Sequence, residues 1–211
     1  MLRSLLMLAA GFASFAQPAA AEVIASSEAG FVTRATAEVP ADPSATWAAL
    51  IAPQNWWNKA HTFSGDSTNL YLDAQGGGCF CEKLPLKDGA PGTRSGSVAH
   101  MRVVYADPGK ALRMVGSLGP LQSEALIGTL TITLKPDRVG KPGGAGTRIV
   151  FEYVVGGYMR YKVEEIAPAV DKVLAEQLAG LATSLGAAES ATPSQVEPAK
   201  PKAKAKPAPK P

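Results

Sequence analysis

The sequence predicts an α+β fold: an antiparallel sheet of about seven strands, two short helices after the first strand, and one long helix at the end. Three observations carry this expectation. Runs with apolar residues at every second position recur between Gly, Pro and Asp turn signals. Two short helical signals follow the first such run. The last structured stretch has apolar residues at intervals of three and four, the spacing of a helix with one buried face.

The first strand is residues 31–39, where Thr33, Ala35, Ala37 and Val39 alternate with Val32, Arg34, Thr36 and Glu38. Pro40 and Pro43 end it. Asp42 is placed as a helix N-cap with Pro43 at the first helical position, which opens a short helix through Trp47 and Leu50. Pro53 starts a second short piece carrying Trp56 and Trp57. Strand-like runs then follow at 69–74, 79–84, 95–105, 110–117, 124–135 and 147–155. The turn signals between them are Gly76-Gly77-Gly78, Asp88-Gly89 with Pro91-Gly92, Asp107-Pro108-Gly109, Gly119-Pro120 and Gly143–Gly146. Leu126, Leu130, Ile132 and Leu134 share one face of their strand, as do Ile149, Phe151, Tyr153 and Val155 of theirs. One apolar face per strand is the mark of antiparallel hairpins with one wet side. Val163, Ile166, Val170, Val173, Leu174, Leu178, Leu181 and Leu185 make the helical stripe, Gly186 stops it, and Pro168 sits in its first turn or kinks it.

The two ends of the chain have different compositions. Arg3 precedes an apolar run at 5–16, then Pro18 and Ala19-Ala20-Ala21, the layout of a secretory signal peptide (1–21) cut before Glu22. That run is too short to span a bilayer, and the absence of a cysteine after the cut speaks against a lipid anchor. The expected location is periplasmic or secreted. Residues 187–211 are almost all Ala, Pro, Lys, Ser and Glu, a composition expected to stay disordered. The expected folded domain is therefore 22–186. Of the 21 basic residues, Arg3 and five tail lysines lie outside it; of the 18 acidic ones, Glu189 and Glu197 do. The domain thus carries 15 basic against 16 acidic residues, with no charge signature for nucleic acid. The lysine-rich tail suits screened attraction to anionic envelope polymers or headgroups, or equally a solubilising role.

The order of elements resembles the START/SRPBCC superfamily, the helix-grip or birch-pollen-allergen-like fold, in its polyketide cyclase/dehydrase and lipid-transport-like branch. The residues carrying the resemblance are Pro43 with Trp47, Trp56-Trp57, and Gly77-Gly78-Cys79-Phe80-Cys81-Glu82. Val103-Val104-Tyr105 with Pro108 before Leu112, and Gly146-Thr147 before the last strand, add to it. The resemblance covers roughly 31–186. It implies a curved sheet gripping the terminal helix around a cavity for a small hydrophobic or amphipathic ligand, with no cofactor. Trp56, Trp57, Cys79, Cys81, Met101, Met114, Leu130, Phe151 and Tyr153 are the ligand-binding candidates, with Gly116 and Gly128 leaving room near the helix. A packed core would have the same sequence signature. The superfamily contains binders, carriers and enzymes, so fold alone does not decide function.

Catalytic equipment is sparse. Glu82 and His100 are the candidate acid–base pair of a cyclase-type enzyme, joined by an aromatic hydroxyl such as Tyr105 or Tyr153. The simpler reading of Glu82 is an exposed strand residue paired with Lys83 or Arg102. Arg102, Arg113 and Arg160 are candidates to meet a ligand carboxylate. The two cysteines of the chain, Cys79 and Cys81, admit four readings: structural thiols, an intramolecular disulfide, an intermolecular one, or a metal or redox site. If 79–84 pairs with 95–102 so that Cys79 opposes His100 and Cys81 opposes Val98, Cys79, Cys81 and His100 share a face. In the other register Phe80 faces inward, Glu82 is buried, and His100 and both sulfurs face outward.

Overall fold

The computed structural model describes residues 20–86, 94–137 and 146–187. Most of the expected signal peptide, most of the C-terminal tail, the Asp88–Gly92 turn and most of the Gly143–Gly146 turn lie outside them. The architecture is α+β, with one eight-stranded antiparallel sheet and a long C-terminal helix packed on it.

The strands are β1 (Ala20–Ser27), β2 (Gly30–Val39), β3 (Leu70–Leu72), β4 (Cys79–Leu84), β5 (Gly96–Asp107), β6 (Ala111–Gly116), β7 (Leu126–Asp137) and β8 (Gly146–Gly157). Their order in the sheet is β1-β2-β8-β7-β6-β5-β4-β3. Among the described residues the α-helices are α1 (Pro43–Leu50) and α2 (Val163–Ser184). The expected second short helix is a single 3₁₀ turn, Pro53–Asn55, and both tryptophans follow it. β1 is the strand the sequence reading lacked. It pairs with β2 at the sheet edge and supports α2. It begins two residues before the expected cleavage position, so processing there would leave Glu22–Ser27 of it.

Local chemistry explains the boundaries. The Asp42 carboxylate accepts the Ser44 and Ala45 amides at 2.8 Å each, with Pro43 pre-set for the first turn of α1. At the far end of α2, Gly186 takes φ +82°. Its amide donates to the Thr183 carbonyl and that of Ala187 to Ala182, which closes the helix with a Schellman motif. Pro168 lies inside α2, one turn past its start.

The faces that the alternation predicted are the buried ones. Thr33, Ala35, Ala37 and Val39 of β2, Leu130, Ile132 and Leu134 of β7, and Ile149, Phe151, Tyr153 and Val155 of β8 form the floor of the core. Leu174, Leu178 and Leu181 of α2 cover it. Register shifts between Val23 and Ala25, Phe80 and Cys81, and Val103 and Tyr105 interrupt the ladders, and such bulges bend and twist a sheet.

Gly116 and Gly128 do not hold space for a ligand. A Cβ at Gly128 would lie 2.3 Å from the Tyr153 ring and hydroxyl, and one at Gly116 would lie 2.5 Å from the His100 carbonyl oxygen. The fully buried Tyr153 hydroxyl donates to the Gly116 carbonyl and accepts from the Leu118 amide, both at 3.3 Å. Gly128→Ala should therefore lower stability by about 1–3 kcal/mol through overpacking against Tyr153. Urea unfolding of the variant, paired with Gly128→Ala/Tyr153→Phe, checks this. An unchanged midpoint for the single variant would contradict the packing account.

Candidate functional site

A cavity of about 690 Å³ lies between the N-terminal half of α2, residues 57–63, residues 118–123 and His100 of β5. Ile166, Val170, Val173 and Leu174 form its helical wall. They belong to the stripe that sequence periodicity assigned to sheet packing. Trp57, Phe63 and Leu118 supply further apolar wall. Among its polar lining groups, His100 stands out by being buried at 5% exposure.

The wall at 57–64 is held from two sides. Its Asn58 amide donates to Gln177 Oε1 at 2.8 Å, the Asn58 side chain bonds Glu176, and His61 Nε2 lies 3.2 Å from Glu176. These contacts tie the segment to α2. On the sheet side, Glu82 of β4 accepts the Phe63 amide at 3.0 Å and the Ser64 amide on its other oxygen. Trp57 donates its indole N–H to the His61 carbonyl at 3.1 Å and packs on Phe80, ring centres 5.2 Å apart.

Glu82 is fully buried and its Oε2 lies 3.0 Å from His100 Nε2. Burial pushes the Glu82 carboxyl up, but hydrogen bonds from Ser64, Phe63 and His100 outweigh it and hold the group below the usual carboxylate range. His100 is also held below the usual imidazole range: burial lowers it more than the neighbouring Glu82 raises it. The pair at neutral pH is thus a carboxylate and a neutral imidazole. A carboxylate can only accept, so Nε2 of His100 carries the proton and Nδ1 is an acceptor. Gln122 Nε2 lies 3.3 Å from that Nδ1 and donates to it. Phe80 and Phe63 flank the imidazole, with ring centres 5.0 and 5.9 Å away.

The register explains why His100 faces inward. Phe80 opposes Met101 and Cys81 opposes Ala99, so His100 is the extra residue of β5 with no partner on β4. His100 and Met101 are consequently both buried. Neither register considered from sequence is the one formed. Phe80 and Glu82 do face inward, but the bulge brings His100 in with them. The reading of Glu82 as an exposed strand residue is therefore corrected.

A disulfide joins Cys79 and Cys81, with Cα atoms 5.4 Å apart. Their sulfurs are bonded to each other, so the proposed set of two thiolates and an imidazole is not formed. Among the described residues, no group of three or more His, Cys, Asp or Glu is placed to hold a metal ion.

Of the ligand-binding candidates, Trp57 lines the cavity. Trp56, Met114, Leu130 and Phe151 surround a gap of only about 20 Å³ in the packed core. Met101 and Cys79 border a separate groove of about 340 Å³, while Cys81 and Tyr153 line none of these spaces. Neither tyrosine hydroxyl joins the dyad. Tyr153 is pushed up to about 12, by burial, and bonds the Gly116 carbonyl. Tyr105 is exposed beside Asp107. The three arginines are engaged elsewhere: Arg102 with the Gly77 carbonyl, Arg113 with Thr131, and Arg160 with Glu124. Sequence reasoning missed Phe63 and Gln122, which lie in segments with no periodicity.

No protein-family profile matches the chain, and no curated protein does. Solved structures do resemble it. The Mll3558 protein from Rhizobium loti superposes with a TM-score of 0.50 at 16% identity, over 73% of this chain and 96% of that one. A Rhodobacter sphaeroides protein gives 0.47 at 18% identity, covering 80% and 99%. CalU16 from Micromonospora echinospora gives 0.46 at 14%, covering 80% and 82%. At these identities the likeness concerns the fold alone.

The dyad makes stability pH-dependent with a definite sign. Glu82 and His100 both have folded-state pKa values below their unfolded ones, so their contribution is complete above about pH 6.5 and is lost as pH falls. Asp171 acts in the opposite sense. Its carboxyl is pushed up to about 6 by burial and by Glu22, so it opposes folding as pH rises from 3.8 through that value. Comparing wild type with His100→Gln isolates the histidine. The stability difference between them should shrink as pH falls from 6.5, measured by urea unfolding across pH. A pH-independent difference would contradict the assignment.

Proposed function

We propose that this protein is an exported member of the START/SRPBCC superfamily that binds a small hydrophobic or amphipathic molecule in the cavity beside α2. The observation that carries the reading is a space of about 690 Å³ walled by Ile166, Val170, Val173, Leu174 and Phe63, with one buried polar group, His100, facing it. Ligand sites of small molecules have this size and this makeup. The resemblance in element order supports the superfamily assignment. A Cys79–Cys81 disulfide supports an oxidising compartment and hence export.

The dyad supplies the polar end of such a site. His100 Nδ1 accepts one hydrogen bond and Gln122 donates one, so a ligand hydroxyl can insert between them and satisfy both. A ligand lacking that group leaves the pair as it stands. The apolar body then lies against α2.

A second reading is favoured by the convergence of Glu82 and His100. Glu82 fixes the tautomer and orientation of His100, and the lone pair of Nδ1 is directed at Gln122, a cavity-lining residue that a ligand would displace from it. That is the arrangement of a carboxylate-oriented general base, which would take a proton from a bound ligand. Burial holds His100 below the usual imidazole range, which weakens it as a base, and Gln122 already occupies Nδ1, so binding remains the leading reading.

Val173→Trp places an indole into the cavity and leaves the dyad intact. We expect it to abolish saturable binding of an apolar fluorescent probe such as 1-anilinonaphthalene-8-sulfonate, with a wild-type far-UV spectrum retained. His100→Phe should keep the probe and weaken hydroxylated competitors. Probe binding that is indifferent to Val173→Trp would overturn the cavity assignment.

A further inference from the structure

The Cys79–Cys81 disulfide and the dyad are parts of one geometric device. Two residues of regular strand advance about 6.6 Å, whereas the Cα atoms of Cys79 and Cys81 are 5.4 Å apart. β4 is therefore contracted at Phe80. Directly opposite, β5 carries one residue too many, and that residue is His100. The contraction of β4 is a fraction of one residue's rise and favours the bulge on the longer strand, and the bulge turns His100 inward onto Glu82. The same contraction holds Phe80 and Glu82 on the core face, one against the His100 ring and the other against its Nε2.

The disulfide is also placed to react. Cys79 is half-buried and borders a groove of about 340 Å³ that includes Gly78, Arg102 and Ser117. Arg102 opposes Cys79 in the ladder, and its guanidinium donates to the Gly77 carbonyl at 3.0 Å, beside the start of β4. A fixed cation there favours a thiolate approaching or leaving. The bond closes a loop with a single intervening residue, so it constrains the unfolded chain little and its loss need not unfold the protein.

We propose that the Cys79–Cys81 bond is a thiol–disulfide exchange site whose state sets the position of His100 in the cavity wall. A thiolate of a small dithiol attacks Cys79 Sγ, on the more exposed of the two cysteines, forms a mixed disulfide and releases Cys81 as a thiolate that takes a proton. The reductant's second thiolate displaces Cys79, which is protonated in turn. Two electrons and two protons end on the cysteines, and the reductant closes into its own cyclic disulfide. β4 then relaxes toward a regular rise, the one-residue mismatch with β5 is no longer imposed, and His100 loses its contact with Glu82. The oxidised form is the one with the assembled dyad.

The test uses the full-length protein and dithiothreitol. Free thiols are counted by alkylation and mass, and the two histidine rings are followed by ¹³C-edited NMR, with His61 as the internal reference. Under native conditions reduction should expose both cysteines to alkylation and shift the His100 ring resonances while those of His61 stay in place. Cys79→Ser/Cys81→Ser should show the reduced-like His100 spectrum and no further response to dithiothreitol. Resistance of the bond to dithiothreitol until the protein is denatured would overturn the exchange site. Reduction with an unmoved His100 would overturn the coupling, and so would loss of the whole fold by circular dichroism on reduction.

Discussion

Burial of the Glu82 carboxylate is the constraint on which the site depends. A charge without exposure to water persists only when its oxygens are hydrogen-bonded. Here the donors come from three places: the Phe63 and Ser64 amides of the cavity wall and the imidazole of β5. One side chain on β4 thereby fixes a loop, a histidine tautomer and one wall of a cavity. Remove the carboxylate and two backbone amides and one ring nitrogen lose their acceptor together, so the arrangement has strong mutual dependence.

From the sheet, Glu82 controls residues 63–64; from the helix, Gln177 and Glu176 control Asn58 and His61. The segment between is therefore held at both ends. Its apolar members, Trp57 and Phe63, close the space that α2 leaves above β5. The rest of the sheet is filled conventionally by β7, β8 and the C-terminal half of α2, which gives the open half a rigid base. Filled core at one end and cavity at the other is a division that the chain achieves by placing Leu178 and Leu181 on the former and Val170 and Val173 on the latter.

Much of the fold was legible because period-2 and period-3.6 patterns are direct signatures of one-sided burial. Strands β2 to β8 and the long helix follow from Val39, Leu70, Leu130, Phe151, Leu178 and their neighbours. The edge strand β1 was not legible: in Glu22–Ser27 the apolar residues Val23, Ile24 and Ala25 run in succession rather than in alternation, and the segment gains its order from pairing with β2. The candidate site was legible in its parts and not in its assembly. Glu82, His100 and Trp57 were named from residue type, but their mutual placement depends on a bulge, and a bulge shifts parity without any mark in the alternation of the strand that carries it. The register that turns His100 outward presumes a regular β5, and the bulge at His100 breaks that regularity. Gln122 had no signal at all, since it acts from an aperiodic turn. The core candidates Met114, Leu130 and Phe151 were chosen for apolar character, which a packed core and a cavity share.

The central claim is that the space beside α2 is a binding site for an apolar molecule with His100 at its polar end. The most direct measurement is native mass spectrometry of the protein isolated from its own cells without detergent, for wild type and for the Val173→Trp variant. The account predicts a non-covalent adduct of small-molecule mass on wild type, absent from the variant. A bare polypeptide mass for wild type, or an adduct carried equally by both proteins, would contradict it.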